Sequence, residues 1–379
     1  MKLNIPRVAG KNWIFTGVMI ALCIGLCFIP SVEPLALQMT SSANAKVTAV
    51  DNGSLQVHGL LQYGSQYLTV EILDGEFAGK SFPAVNELRG QLEFDKIFSA
   101  GDRITVNIDA QAVPGESVLV AKNFDRSVWT IILFAGFCLL LIVFGGWTGV
   151  KALFSFVFSC LVIFKAVIPL TLKGFSAIWI CFGSVMLLTA VIIFLVAGVT
   201  RKALAAFTGA VAGVFAGVVM AHCFGELMHI NGAAMPFIQS LLYSGYETLN
   251  MAEVFTGALI LGCSGAVMDL AMDIASSVEE LALHNPGLPA KELTASGLRV
   301  GRSVVGTMTT TLLLAYSGGY LTLLMMFAAQ GTSFRDVMNN PLVAAETVKT
   351  LIGSFSLVLV APLTAVASGW IFGRKRSDQ

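Results

Sequence analysis

The feature that most constrains this sequence is a series of apolar segments, each about twenty residues long, that begins after Arg126. A helix of that length spans the ~30 Å hydrocarbon core of a bilayer. Hydrophobic residues make up 56% of the 379-residue chain and charged residues only 12%, a composition unlike that of soluble globular proteins. The sequence therefore predicts an α-helical polytopic membrane protein that is embedded in the lipid bilayer.

The hydropathy pattern predicts about eight membrane spans. They are placed near residues 13–29, 128–146, 152–171, 177–199, 203–222, 254–276, 303–328 and 348–372. The first belongs to a predicted anchor over residues 1–30, and the other seven form a multipass domain over residues 127–373. The segment 223–253 is too short in apolar length to span and is interrupted by Pro236, so we interpret it as an outer re-entrant or interfacial segment.

The first apolar run follows basic residues, a pattern that signal peptides and signal anchors share. An Ala-x-Ala cleavage site exists at Ala43-Asn44-Ala45, but it lies well beyond the end of the apolar run. We therefore favour an anchor that is retained, with cleavage at Ala45 as the alternative.

Basic residues collect on one side of the predicted bundle, which sets its orientation. That side receives Lys2, Arg7, Lys11, Lys151, Arg201, Lys202, Lys291, Arg299, Arg302, Arg374, Lys375 and Arg376. The positive-inside rule places it in the cytoplasm, so both termini are predicted to be inside and residues 374–379 to form a cytoplasmic tail. Residues 46–126 then lie outside, between the first and second spans.

Residues 46–126 carry a different pattern, in which short β-rich runs such as 67–73 and 103–108 are separated by turns such as Asn52-Gly53. Five or six short strands in about 75 residues are typical of a small OB-like barrel or a sandwich, and we predict the barrel. All seven cysteines lie outside this module, which excludes a disulfide framework for it.

Two aspartates stand in a predicted span, where ionisable groups are costly and usually functional. Asp269 and Asp273 are four residues apart and therefore share one helical face. Such a pair can bind a cation or carry a proton, and we predict Asp269, Asp273, Gly265 and Ser264 as the substrate- or ion-binding residues. Gly257, Gly262 and Gly265 could let another backbone approach closely or break the helix, although plain packing is the alternative. The alternative is that Asp273 is only a hydrated residue at the cytoplasmic interface.

A second group, His222, Glu226 and His229, has spacings of four and three residues. If the fifth span continues past the membrane surface, all three share one face, and two imidazoles with a carboxylate are plausible ligands for zinc or another divalent cation. A proton relay and an ordinary polar helix end remain as alternatives, because no fourth ligand is evident. No cofactor other than this divalent cation is indicated.

The sequence resembles the YibE/F-like family of bacterial multipass membrane proteins. The resemblance depends on the run from Gly265 through Met268, Asp269 and Asp273 to Ser277, on Gly301-Arg302 ahead of a threonine-rich span, and on Gly101-Asp102 in the outer module. It extends over about residues 46–372 and implies a bacterial plasma-membrane protein of a largely uncharacterised family, for which transport is the suggested role, with Asp269 and Asp273 as its motif positions. The His222 group matches no motif of the family.

These features favour a transporter or permease, coupled to an ion or proton through the intramembrane carboxylates, for a small solute that the sequence does not identify. A zero net charge gives no basis for nucleic-acid binding. A membrane receptor or assembly scaffold is the main alternative, with the outer module bound to a partner protein or the chain forming a homo-oligomer. A metal-dependent intramembrane phosphotransferase is disfavoured. Residues 251–256 lack the first half of the sequence signature of CDP-alcohol phosphatidyltransferases. The protein is thus not predicted to be an enzyme.

Overall fold

A computed structural model describes Gly25 and residues 40–109 and 112–373. The predicted anchor and the cytoplasmic tail fall outside the described residues, apart from Gly25. The chain divides into two compact units, and the boundary falls between Leu140 and Leu141.

The amino-terminal unit contains six β-strands, and alternation of apolar and polar residues explains their burial. The strands are β1 (Thr40–Asp51), β2 (Gln56–His58), β3 (Leu61–Ile72), β4 (Ser81–Arg89), β5 (Arg103–Asp109) and β6 (Leu119–Phe124). In β4, for example, Phe82, Ala84, Asn86 and Leu88 point inward and are buried, whereas the residues that alternate with them are more exposed.

Five of these strands close into a barrel. The order is β1-β5-β6-β4-β3, and the first half of β1 pairs with β5 while its second half pairs with β3, which closes the ring. All pairings are antiparallel except that of β4 with β6, and β2 is attached only to β3. This five-stranded closed barrel confirms the prediction of an OB-like module.

The barrel begins earlier than the predicted boundary at residue 46, because β1 starts at Thr40. Ala45 is fully buried in the core and lies opposite both Ile72 and Ile104. Cleavage after Ala45 would therefore remove the part of β1 that pairs with β5. The choice between a retained anchor and cleavage stays a prediction.

Two polar side chains occupy inward positions of the barrel and are fully hydrogen-bonded. The Gln66 amide donates to the Phe98 carbonyl at 2.9 Å, and its oxygen accepts from the Phe98 amide at 3.0 Å. Asn86 donates to Gln66 at 3.1 Å and to the Lys96 carbonyl at 2.6 Å. Buried polar groups are tolerated when they are paired, so these bonds fix the 90–100 loop on the barrel.

The rest of the described chain is helical. The helices are α1 (Ser127–Val162), α2 (Ile168–Leu172), α3 (Ala177–Ala197), α4 (Arg201–Leu227), α5 (Ile238–Tyr243), α6 (Met251–His284), α7 (Ala290–Gly319), α8 (Leu321–Ala329), α9 (Phe334–Asn339) and α10 (Pro341–Gly373), with a π-helical turn at Ile163–Val167 between α1 and α2. Asp125 lies just before α1, and hydrogen bonds from Ser127 lower the pKa of its carboxyl.

Within the described residues, five helical segments are long and apolar enough to cross a membrane, and a sixth candidate is a bent pair. The predicted spans 128–146 and 152–171 fall in one helical run, Ser127–Leu172, that is broken by a left-handed residue at Gly146 (φ 54°). A side chain at Gly149 would overlap the Leu141 carbonyl, so the chain folds back sharply at this break. The total of eight spans stays a prediction, since the anchor is not described.

The predicted continuous span 303–328 is wrong in its geometry. Helices α7 and α8 meet at Tyr320 with a bend of 65°, directly after Gly318 and Gly319. The apolar composition of the segment is continuous, but paired glycines weaken a helix at the point where they occur. Residues 223–253 contain only the short α5 after the end of α4, in agreement with the prediction that they do not span.

Helix α10 lies at the centre of the bundle and packs against α4, α6 and α7. Its contact with α4 is very close, because a side chain at Gly213 would lie 2.8 Å from Val360 Cβ and one at Gly209 would lie 2.7 Å from Thr364 Cα. A side chain at Gly297 of α7 would lie 3.0 Å from Ala365 Cβ. Small residues thus let three long helices approach one another through dispersion contacts.

Candidate functional site

Helix α6 is the element that carries both predicted aspartates. Its first turn is capped by Asn250, whose side chain accepts a hydrogen bond from the Glu253 amide at 3.3 Å. Its 34 residues correspond to about 50 Å at 1.5 Å per residue, which is longer than a bilayer core. Asp269 lies about 27 Å along the helix from Met251, within the stretch 254–276 that is predicted to cross the membrane core.

One face of α6 is left open by the neighbouring helices. Its exposed residues follow helical spacing and are Ala258, Gly262, Gly265, Asp269 and Asp273, which we call the open stripe. The opposite face is buried against α3, α4 and α10 and includes Val267, Leu270 and Ile274. The structure therefore brings Gly265, Asp269 and Asp273 together, as predicted from their spacing.

Ser264, the fourth predicted residue of this group, lies on a different face. It is buried, and its hydroxyl donates to the Leu261 carbonyl at 2.8 Å within the same helix. A hydroxyl satisfied by its own helix is a packing residue in this conformation. Ser264 therefore does not share the open stripe with the aspartates, and its part in ion binding stays a prediction.

Neither aspartate of the open stripe forms an ion pair within the part of the chain that the structure describes. Both are exposed on the surface of the bundle, and neither lines one of its described cavities. Glu279, about three turns after Asp269 on α6, instead pairs with Lys202 at 3.1 Å. The same helix thus carries a neutralised carboxylate and two without a basic partner.

The bend between α7 and α8 lies close to the open stripe. The Tyr316 hydroxyl approaches Gly262 so closely that a side chain at Gly262 would lie 3.1 Å from it. That hydroxyl is buried and has no hydrogen-bond partner in the described structure. The Tyr316 side chain, one turn before the bend, therefore lies against the glycine end of the open stripe.

The His222 group lies at the other end of the bundle, but not on one helical face. Helix α4 ends at Leu227, and His229 has a left-handed backbone with φ 52°, so the assumption of a continuing helix was wrong. The chain turns back here because the Ile230 amide donates to the Gly225 carbonyl at 2.8 Å. His222 Nε2 lies 3.6 Å from a Glu226 carboxylate oxygen.

His222, Glu226 and His229 nevertheless line one cleft of about 580 Å³, formed by α3, α4, α6 and the turn after α4. Among the described residues, no group of three or more His, Cys, Asp or Glu side chains is arranged to hold a metal ion. A metal site needs converging ligands at fixed distances. The geometry therefore does not support the predicted divalent cation, although the three residues do share a cleft.

Glu253 completes this cleft and was not among the predicted site residues. Its two carboxylate oxygens accept hydrogen bonds from the Ser176 hydroxyl at 2.5 Å and from the Asn250 amide group at 3.1 Å. The pattern Asn250-x-x-Glu253 is a capping box, and it could have indicated the position of this carboxylate at the start of α6. Its contact with Ser176, 77 residues away in sequence, could not have been inferred.

A family model described as YibE/F-like protein matches residues 133–374, which is more than half of the chain. The match covers α6, the α7–α8 bend and the close contact between α4 and α10. No curated protein and no solved structure matches the chain.

Proposed function

The chain belongs to the YibE/F-like family of membrane proteins, and from its open stripe we propose that it is a transporter coupled to a cation or proton through Asp269 and Asp273. In this proposal the protein resides in a bacterial plasma membrane, with the barrel outside and both termini in the cytoplasm. The solute is small and its path passes the open stripe.

The observation that carries the proposal is the position of two carboxylates without basic partners on a membrane-spanning helix. A charged residue at the helix centre costs about 2.5–3.5 kcal/mol on insertion scales, so such residues face water or protein and seldom lipid. Asp269 and Asp273 lie on a face that the neighbouring helices leave open, beside glycines that add no bulk. This arrangement supports a hydrated path for the solute along the open stripe. It equally supports a surface on which another helix closes over the carboxylates during transport.

The bent pair α7 and α8 supports the same function. Discontinuous helices near the middle of the membrane are a recurrent feature of secondary transporters, where they expose helix ends to ions and substrates. The bend at Tyr320 follows two glycines, and the hydroxyl of Tyr316, one turn before it, lies beside Gly262 of the open stripe. A change in the bend angle would therefore alter access to the stripe.

The experiment is solute and ion flux in proteoliposomes, across a panel of cations and with the internal pH recorded. We expect Asp269→Asn and Asp273→Asn each to reduce coupled flux at least tenfold, because an amide neither binds a cation by charge nor carries a proton. The matched control is Glu280→Gln, which removes an exposed carboxylate from the same helix beyond the predicted membrane core.

Flux that persists in both aspartate variants would refute coupling through the open stripe. An equal loss of flux in the Glu280→Gln variant would show that removing any negative charge from α6 reduces flux. Absence of flux for every ion and solute in the wild type would favour the alternative of a receptor or scaffold that uses the barrel.

A further inference from the structure

Three adjoining clefts lie at the amino-terminal end of α6. The first is the 580 Å³ cleft that contains the His222 group, the second measures about 180 Å³, and the third about 200 Å³. Asn250 and Glu253 line both the first and the second cleft. Ala177 and Val254 are among the residues that line both the second and the third. The three clefts therefore adjoin at the first turn of α6.

The first two clefts are suited to a positive charge. Glu253 and Glu226 line the first, and no lysine or arginine lines either one. Glu253 is held in one orientation by Ser176 and Asn250, so a ligand does not need to order it. Lys349, which lies 5.5 Å from the centre of the Phe255 ring, is neutralised by Glu346 at 2.6 Å.

The third cleft is suited to an apolar chain. It is lined almost entirely by hydrocarbon from Val167, Ile168, Leu172, Cys181, Leu241, Leu249, Val254, Ala258 and Leu261. It follows α6 from Val254 to Leu261, which is the part of the helix that enters the predicted membrane core. Burial of alkyl groups in such a cleft is favourable by about 0.8 kcal/mol for each methylene.

A bare metal ion does not fit these features. Small-molecule sites typically occupy about 300–1,000 Å³ and combine apolar walls with a few placed polar groups, as the first cleft does. A metal ion requires several ligands within about 2.3 Å, and no such group exists among the described residues.

We propose that these clefts bind an amphipathic ammonium compound dissolved in the membrane, with its cationic head at Glu253 and its alkyl chain in the third cleft. This inference deepens the proposed function. The binding site is argued independently, and only the statement that the compound is the transported solute rests on the proposed function. Binding itself does not depend on Asp269 or Asp273.

The experiment uses the full chain in lipid nanodiscs and a dodecyltrimethylammonium probe that carries a photoreactive diazirine in its chain. Irradiation followed by mass spectrometry of peptides is expected to show labelling at residues 254–261, at least fivefold above that of an uncharged analogue with the same chain. Unlabelled dodecyltrimethylammonium should compete with the probe, whereas tetramethylammonium, which lacks the chain, should require at least a tenfold higher concentration.

Two variants test the two halves of the site separately. Glu253→Gln is expected to reduce labelling at least fivefold, and the matched control Glu247→Gln, an exposed carboxylate that lines none of the clefts, is expected to leave it unchanged. Ala258→Phe fills the third cleft from an exposed position and should also reduce labelling, while thermal unfolding of each variant shows that it is folded.

Equal labelling by the uncharged analogue, or labelling that Glu253→Gln does not change, would overturn the inference. Displacement of the probe by micromolar Zn²⁺, with stoichiometric zinc bound, would replace it with a metal site. If Glu253→Gln loses labelling but its ion flux is unchanged, the binding site is supported and its role in transport is contradicted. If ion flux depends on Asp269 but the probe labels no residue specifically, the proposed function is supported and the ammonium-binding site is contradicted.

Discussion

Two stripes of small residues in this protein have similar spacing and opposite environments. Gly209, Gly213 and Gly217 of α4 are buried, and a side chain at any of them would overlap residues of α10. The open stripe of α6 has glycines three residues apart, yet a side chain at Gly265 would meet nothing within 4 Å and one at Gly262 would meet only the Tyr316 hydroxyl, at 3.1 Å. A stripe of small residues therefore indicates close packing only when a second helix covers it.

The residues that face or adjoin each stripe account for the difference in burial. Helix α10 presents Ser356, Val360 and Thr364 to α4, and these are short enough to allow backbone contact. The open stripe continues into Asp269 and Asp273, whose charges disfavour burial against an apolar helix. We infer that α4 is glycine-rich for packing and that the stripe on α6 is glycine-rich for access.

The largest effect is expected for Gly209→Ala. A methyl group there would lie 2.7 Å from Thr364 Cα, so backbone atoms would have to move. Overpacking of this kind costs about 1–3 kcal/mol, and we expect the upper end of this range because the contact is with backbone. Reversible unfolding in mixed micelles measures the loss of stability. A loss below about 0.5 kcal/mol would show that α4 and α10 are not closely packed in solution.

The next largest effect is a difference in chemical accessibility between the stripes. In a variant without the native cysteines, Gly265→Cys should react with a membrane-impermeant thiol reagent at least tenfold faster than Ser356→Cys, which replaces a fully buried hydroxyl. The reagent needs a hydrated thiolate, so it reports water and not mere exposure. Reaction of Gly265→Cys only with an apolar reagent would place the open stripe against lipid or protein and contradict a hydrated path.

A smaller loss of stability is expected when carboxylates of α6 are neutralised. Glu279→Gln removes the partner of Lys202 in a pair whose side chains are about one-quarter exposed, and we expect a loss of about 1 kcal/mol in stability. Glu280→Gln, at the neighbouring exposed position, should change stability by less than about 0.5 kcal/mol. Chemical unfolding of both variants checks this, and equal losses would mean that the Lys202–Glu279 pair does not contribute.

The smallest effect is expected for Gly265→Ala. No atom lies within 4 Å of the added methyl group, and alanine is favoured over glycine in a helix by about 0.8–1 kcal/mol. We therefore expect unchanged or slightly increased stability in the same unfolding assay. A loss of more than about 1 kcal/mol would show that a partner covers the open stripe, and the contrast with Gly209 would disappear.

Several elements of the fold were predictable because they depend on local pattern. The alternation of apolar residues predicted the strands of the barrel, and apolar length predicted the spanning helices α3, α4, α6 and α10. The i,i+4 spacing correctly placed Asp269 and Asp273 on one face. The bend at Tyr320 was missed because hydropathy averages over about twenty residues and does not register a backbone break.

The clefts at the amino-terminal end of α6 show the opposite case, in which local pattern was insufficient. His222, Glu226 and His229 do share a cleft, but α4 ends before His229 and the helical argument for them was wrong. Glu253 joins them through Ser176, a contact between residues far apart in the chain. Such contacts depend on how helices pack and not on spacing within one helix.

By itself the sequence determined that the chain enters a membrane, that a β-barrel precedes most of its helices, and that two acids share a face of α6. These follow from composition and periodicity, since transfer free energies and helical geometry act on each segment independently. Only the tertiary structure decided which small-residue stripe is covered, where α7 bends, and that Glu253 lies beside an apolar cleft. Each of these depends on which surfaces of separate helices meet, and that is decided by packing over the whole bundle.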